Sequence, residues 1–214
     1  MKAVTFSQFG AANEVLTVSN VATPDPKPGE VLVRLAVSAV NPSDVKKRAG
    51  ALPDLLVNGP VIPHSDGAGV IEAIGEGVTE GRLGERVFIY QAQHARSMGT
   101  AVEYVVIHSR RAPNLSDEAS FAVGACIGIL MMMAHRCVTA DGPLVGLWVL
   151  VTGGAGRVGN YAIQWAKQFG AWVLATGSNA VDNKSCCDAA AECGEPSRVW
   201  VGSVAARLHP RSGY

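Results

Sequence analysis

Hydrophobic residues recur at every second position over residues 30–40, where Val31, Val33, Leu35 and Val37 would share one face of a strand. Further strands are predicted at residues 1–6, 15–18, 68–74, 86–90 and 101–108. Glycines separate several of these stretches, as is typical of the bends in a small β-barrel. They lie at positions 67, 69, 75, 77, 81 and 84. The first half of the chain therefore predicts a β-rich domain.

The segment Asn41-Pro42-Ser43-Asp44 predicts the start of a short helix that ends near Gly50. Asn41 is a suitable N-cap residue, and Pro42 fits the first helical position because its missing N–H has no partner there in any helix. Asp44 would then place a negative charge at the positive end of the helix dipole.

The pattern changes after Pro113. A helix is predicted to open with Ser116 or Asp117 as its cap, and a second helix is predicted over 126–138. The apolar run at 147–151 is typical of a strand buried on both faces of a parallel sheet. Helical spacing over 156–169 and a second strand at 171–176 complete a strand–helix–strand unit. From residue 180 to 214 we find no sustained period.

A glycine motif, Gly154-x-Gly156-x-x-Gly159, directly follows the first of these strands and opens the helix. The first glycine permits a tight turn, the second lets backbone approach a pyrophosphate, and the third lets helix and strand pack closely. The pattern favours dinucleotide binding, and a glycine-rich structural turn is the alternative. The predicted cofactor-binding residues are Gly153, Gly154, Ala155, Gly156, Arg157, Val158, Gly159, Ser178 and Asn179.

The end of the second strand predicts which dinucleotide is bound. NAD sites usually place an acid there, about 20 residues after the glycine motif, to hold the ribose hydroxyl. This chain has Thr176-Gly177-Ser178-Asn179, which contains no acid. A small polar loop of this kind favours NADPH, and Lys184 is the nearest cation.

Composition excludes several other classes of function. The 214 residues carry 18 basic and 18 acidic side chains, so no charge excess points to nucleic acid or to an anionic membrane. No apolar stretch approaches the roughly 20 residues that span a bilayer, and the first residues do not resemble a signal peptide. The five cysteines all follow residue 125, which fits a cytoplasmic protein better than a disulfide scaffold.

Several motifs occur in an order that resembles a known family. They are Asn41-Pro42-Ser43-Asp44-Val45-Lys46, the segments 63–78, 84–88 and 99–105, and the loop at 153–159. Together, over residues 1–179, they are similar to the zinc-free quinone oxidoreductases (zeta-crystallin-like) of the medium-chain dehydrogenase/reductase superfamily. The resemblance implies a GroES-like β-barrel domain at 1–115 and an incomplete Rossmann domain, with a doubly wound parallel sheet, at 116–179. Residues 180–214 would be a divergent tail, as expected of a chain truncated or frame-shifted after about residue 179.

The resemblance also implies a function. Members of the family transfer a hydride from NADPH to quinones or related enones, and Asn41 and Asp44 match positions beside the nicotinamide ribose. The helix-capping roles of Asn41 and Asp44 remain the alternative, and both roles can coexist. The implied partner is a small-molecule quinone or enone. A homodimer is left open, and neither nucleic acid nor membrane is expected.

Zinc-dependent members of the superfamily bring a Cys and a His-Glu pair to places that hold Asn41 and Ser65-Asp66 here. A catalytic zinc needs three protein ligands, which these residues do not supply, so we expect no metal. His64 lies one position early and is either a structural or a cleft histidine. The competing hypothesis is a non-enzymatic or inactive fragment with a vestigial nucleotide loop. A different substrate, an enoyl thioester or an alcohol, is a third, and the missing zinc ligands argue against the alcohol.

Overall fold

The computed structural model describes residues 1–192 and 206–208. The chain divides into two units, Met1–Ile129 and Leu130–Tyr214.

Strand β3 (Glu30–Ala39) lies inside the main sheet of the first unit. It pairs antiparallel with β4 (Asp66–Ile74) on one side and β6 (Tyr104–His108) on the other. β5 (Arg86–Ile89) pairs with β4, which gives the order β5-β4-β3-β6. A separate two-stranded sheet joins β1 (Lys2–Thr5) to β2 (Thr17–Asn20), so the strands form two sheets rather than one closed barrel.

The predicted alternation in β3 is confirmed at its start, where Val31 and Val33 are fully buried and Arg34 is exposed. These side chains pack in a core with apolar residues of the three other strands: Ile71, Val87, Ile89, Val105 and Ile107. Where β3 and β4 cross most closely, a Cβ on Gly69 would lie 2.0 Å from the carbonyl oxygen of Arg34. Only glycine fits at this point, so the glycine is a condition of the strand pairing.

The helices of the first unit are α1 (Ala12–Val15), α2 (Pro42–Arg48) and α3 (Phe121–Ile127). The predicted helix after Asn41 is confirmed. The prediction of a strand at 15–18 was partly wrong, because Val15 closes α1 and β2 begins at Thr17. Short 3₁₀ turns lie at 53–56, 80–82 and 109–111.

The predicted starts of the next two helices were wrong. α3 is capped by Ser120, whose side chain accepts the Val123 N–H at 3.2 Å, and not by Ser116 or Asp117. α4 (Ile129–Thr139) begins three residues later than expected because Gly128 interrupts the helix. In the described part of the chain, no single helix is long and apolar enough to cross a membrane, and only α3 and α4 taken together meet that criterion.

The second unit contains the predicted strand–helix–strand. β7 (Trp148–Val151) and β8 (Trp172–Ala175) are parallel, and α5 (Arg157–Gln168) connects them. β9 (Ala206–Leu208) pairs antiparallel with the other side of β7. The helix α6 (Ala180–Asp188) was not expected, because its apolar residues do not recur at helical spacing.

The strands of the second unit are buried on one face only, which corrects the prediction of burial on both. Val149, Val151 and Val173 share a core with Ile163 of α5 and Cys186 of α6. Both helices therefore cover the same face of the sheet. On the opposite face, Trp172 is 50% exposed and Leu174 is 39% exposed.

We predict that Gly69→Ala lowers the free energy of unfolding of the first unit by about 3 kcal/mol, because the added methyl group meets backbone that cannot move without parting β3 from β4. Urea unfolding followed by circular dichroism measures the change. The matched control is Gly81→Ala, where a Cβ meets nothing within 4 Å. Equal stability of the two variants would contradict the argument.

Candidate functional site

Buried polar residues of the described chain are concentrated in the first unit, around the start of β4. They are Asn41, Asp44, Ser65, Asp66, Gln93 and Thr100, each at most 4% exposed. Burying a polar group costs free energy unless hydrogen bonds replace those to water. A cluster of this kind is a candidate site because apolar residues would stabilise the same fold at lower cost.

Asp66 is the centre of this buried polar cluster. Its Oδ2 accepts a hydrogen bond from the Asn41 side-chain amide at 2.8 Å and from the Ile129 backbone N–H at 2.9 Å. Its Oδ1 is buried and has no partner of ordinary geometry in the described residues. Burial raises the pKa of Asp66. The hydrogen bonds from Ile129 and Asn41 offset part of that rise, the charge of Asp44 adds to it, and the Gln91 backbone N–H lowers the pKa slightly.

Asp44 lies one turn into α2. Its Oδ2 accepts the backbone N–H of Asn41 at 2.8 Å, which is half of a capping box. Among the described residues, its Oδ1 receives only a long contact of 3.5 Å from the Ser65 hydroxyl, which leaves this oxygen capacity to accept. The ammonium of Lys47 lies nearby, donating to the Gln93 side chain at 3.0 Å and reaching Ser65 at 3.5 Å.

A second chain of polar contacts runs from His64 to the backbone of Asp66. Ser38 Oγ lies 2.9 Å from His64 Nδ1 and 2.9 Å from Thr100 Oγ1, and Thr100 donates to the Asp66 carbonyl at 2.6 Å. His64 has a φ of 75°, a conformation that non-glycine residues rarely adopt. Burial lowers the pKa of His64, and the negative charge of Asp44 opposes that effect.

Ser38, His64 and Thr100 border an open cavity of about 380 Å³. Its walls also include Leu35, Val37 and Val102. Sequence reasoning identified Asn41, Asp44 and His64, and it placed Ser65-Asp66 at former metal positions. It missed Ser38, Gln93 and Thr100, because their partners come from other strands and loops and no local pattern marks them.

The predicted phosphate-binding loop lies in the second unit, between β7 and α5. Gly153 has a φ of +65°, and a Cβ on Gly159 would lie 2.3 Å from the Gly153 carbonyl oxygen. The loop is fixed to the end of β8, since Gly153 N–H donates to Thr176 Oγ1 at 3.0 Å and Gly154 N–H to the Thr176 carbonyl at 2.9 Å. The backbone shape therefore requires glycine at these positions.

The N-terminus of α5 fits a phosphate group. Gly156 is its N-cap and supplies no side-chain hydrogen bond, and both Gly156 and Arg157 are exposed. The backbone N–H groups of the first turn and the helix dipole then favour an anion. Of the other predicted loop residues, Ala155 and Val158 pack partly against the core of this unit.

At the end of β8 the structure brings in an acid that the sequence analysis did not include. Asn179 caps α6, its Oδ1 accepting the N–H groups of Val181 at 2.9 Å and Asp182 at 3.0 Å. The Asp182 carboxylate in turn accepts the Ser178 N–H at 3.0 Å. The spacing Asn179-x-x-Asp182 was the local signal, because it is typical of a helix N-terminus.

Asn41 and Asp66, which the resemblance matches to zinc-ligand positions, are joined here by a hydrogen bond. An amide nitrogen that donates to a carboxylate does not ligate a metal. Within residues 1–192 and 206–208, no group of three or more His, Cys, Asp or Glu side chains could hold a metal ion.

Comparisons with known proteins agree on one family. The profile described as "Alcohol dehydrogenase GroES-like domain" matches residues 27–170. The chain is 33% identical over 183 residues to the "Quinone-oxidoreductase homolog, chloroplastic" of Spinacia oleracea, covering 82% of this chain and 55% of that protein. It is 34% identical over 179 residues to the "Quinone oxidoreductase" of Homo sapiens, covering 82% of this chain and 52% of that protein.

A solved structure gives the same result. A mycobacterial protein complexed with NADPH matches with a TM-score of 0.76 at 30% identity, over 90% of this chain and 57% of that chain. This match extends beyond residue 179, because residues 1–179 alone are less than nine-tenths of the chain. The chain spans about half the length of the curated relatives it matches.

We predict that Asp66→Asn changes how stability depends on pH. Because the pKa of Asp66 is raised on folding, the native state binds more protons than the unfolded state above pH 3.8. The wild type therefore loses stability as pH rises from 3.8 through the raised pKa. The Asp66→Asn variant does not lose stability in this way. Its free energy of unfolding therefore rises relative to that of the wild type between pH 3.8 and the raised pKa, and the difference is constant above that pKa.

Urea unfolding of both proteins between pH 4 and pH 8 measures this difference. The lowered pKa of His64 acts in the opposite direction, since its contribution to stability is full above the ordinary value of 6.5 and falls as pH decreases below it. That contribution is present in both proteins and cancels in the comparison. A difference that does not change with pH would show that Asp66 titrates normally.

Proposed function

Because the chain belongs to the alcohol dehydrogenase GroES-like domain family, we propose that it binds NADPH and acts in hydride transfer to quinones or related enones without zinc. The glycine loop after β7 carries the proposal: its backbone excludes side chains at Gly159, and the first turn of α5 has no side-chain cap. The relatives named as quinone oxidoreductases and the mycobacterial NADPH complex support the proposal.

The dinucleotide would be held by residues of the second unit. The N–H groups of the first turn of α5 would receive the pyrophosphate, and Arg157 would add positive charge. Ser178 and Asn179 lie at the end of β8, where the adenosine ribose of a dinucleotide is held in sites of this kind. When bound, NADPH supplies the hydride that reduces the substrate.

The buried polar cluster of the first unit would hold the reacting groups. Asp44 has an oxygen with spare capacity to accept, which suits a ribose hydroxyl. Asp66 is a positioning residue, because it accepts a hydrogen bond from Asn41 Nδ2 and so fixes the orientation of the Asn41 side-chain amide. Asn41 and Asp44 are therefore the proposed catalytic residues.

Zinc is not needed for this substrate class. A quinone is electron-poor and accepts a hydride without a Lewis acid, whereas a simple alcohol or ketone depends on stronger polarisation. The Asn41 amide donates its N–H to the Asp66 carboxylate, so the amide nitrogen is not arranged as a metal ligand. This favours quinones and enones over alcohols.

The test begins with binding. We expect NADPH to raise the melting temperature of the full 214-residue chain and to quench its tryptophan fluorescence. Arg157→Ala should weaken NADPH binding about tenfold without changing the fold, since it removes one exposed charge near a phosphate. Gly159→Ala should abolish binding, and Gly81→Ala is the matched control.

Turnover is measured next, as the loss of NADPH absorbance with para-benzoquinone and with an enone. Oxidation of NADPH that depends on Asn41 supports the proposal. NADPH binding without turnover would favour the competing hypothesis of a binding-only fragment. An absence of dinucleotide binding would overturn the proposal altogether.

A further inference from the structure

The loop at the end of β8 contains a negative charge among the groups expected to receive a 2′-phosphate. Asp182 Oδ2 accepts hydrogen bonds from the Ser178 backbone N–H at 3.0 Å and from the Asn179 side-chain amide at 3.1 Å. These donors belong to the two residues expected to bind that phosphate. The chain's own carboxylate therefore already accepts the Ser178 backbone N–H and one N–H of the Asn179 amide.

Asp182 is connected to the glycine loop through short contacts. A Cβ on Gly177 would lie 2.8 Å from the Asp182 Cβ, so the helix start packs directly on the residue after Thr176. Thr176 itself binds Gly153 and Gly154. A dinucleotide whose pyrophosphate lies on that loop would therefore present its adenosine ribose to the end of β8, where Asp182 lies.

Among residues 1–192, no lysine or arginine forms a salt bridge with Asp182. Lys184, the nearest cation in sequence, pairs with Asp188 at 2.9 Å and so makes its ion pair one turn further along the helix. Burial raises the pKa of the Cys186 thiol, and the negative charge of Asp182 raises it further. A phosphate dianion placed at Ser178 would meet this charge within a few ångströms.

Resting on the proposed function, we propose that Asp182 is a specificity-determining residue that weakens NADPH binding and lets the chain bind NADH with similar affinity. The ribose 2′-hydroxyl of NADH donates a hydrogen bond, and a carboxylate accepts one. A 2′-phosphate of NADPH that uses the Ser178 backbone N–H would have to displace the carboxylate, and it would approach a like charge. Asp182 thus favours the unphosphorylated ribose at a loop that otherwise suits the phosphate.

The experiment measures the dissociation constants of NADPH and NADH for the wild type and for Asp182→Asn by fluorescence titration. Asparagine keeps an oxygen that accepts the Ser178 N–H and removes only the charge. We expect wild-type constants for the two cofactors within about threefold of each other, and a variant that binds NADPH about tenfold more tightly with NADH affected much less. Asp54→Asn, in the first unit, controls for the same change in net charge.

Two further measurements separate charge from structure. Adenosine 2′,5′-bisphosphate, used as a competitor, should gain affinity in the variant, whereas adenosine 5′-monophosphate should not. The gain should shrink in 0.5 M salt, about where exposed charges several ångströms apart are screened, and a purely structural effect of the substitution would persist. A melting temperature equal to that of the wild type shows that α6 remains capped.

The outcomes distinguish this inference from the proposed function. If both cofactors bind and Asp182→Asn leaves their ratio unchanged, the role of Asp182 is overturned and the proposed function stands. A wild type that binds NADPH at least tenfold better than NADH would also overturn it. If neither protein binds either cofactor or the bisphosphate, the proposed function itself fails.

Discussion

The hydrogen bond from the Asn41 amide to the Asp66 carboxylate joins the start of α2 to the start of β4 in the first unit. Asn41 caps α2, Asp66 is the first residue of β4, and the same oxygen of Asp66 accepts the N–H of Ile129, where α4 begins. A buried carboxylate is tolerated only while its donors are in place. The start of α2, the start of β4 and the break at Gly128 therefore depend on one another.

Gly128 shows how this dependence shapes the backbone. A Cβ on Gly128 would lie 2.4 Å from the Asp66 carboxyl group. The carboxyl group therefore fills the space that a side chain at position 128 would need. Two other close approaches also require glycine, and there the contact is with backbone. Gly69 lies against the Arg34 carbonyl in the sheet, and Gly159 lies against Gly153 in the phosphate-binding loop. At Gly69 and Gly159 the missing side chain permits a backbone contact on which a strand pair or a loop depends.

The features that sequence alone could predict are those carried by neighbouring residues. The alternation of β3, the helix after Asn41-Pro42 and the glycine loop each have a local physical cause. The contact between Asp66 and Ile129 joins residues 63 positions apart, so the carboxyl group that lies against Gly128 could not be predicted from the residues around it. The contact of Ser38 with His64 and Thr100 was hidden for the same reason. One face of β8 is exposed because α5 and α6 both pack on the other face. The apolar residues of the strand do not indicate on which face a helix will pack.

Two carboxylates in this molecule make the same set of hydrogen bonds in different surroundings. Asp66 accepts a backbone N–H and an asparagine amide, and so does Asp182. Asp66 is only 2% exposed, so its pKa is raised and its main effect is to fix the backbone and the Asn41 amide. Asp182 is half-buried and lies beside exposed loop residues, where its charge acts on whatever approaches the end of β8. Burial, and not the hydrogen-bond pattern, thus decides which carboxylate supports the fold and which can discriminate between ligands.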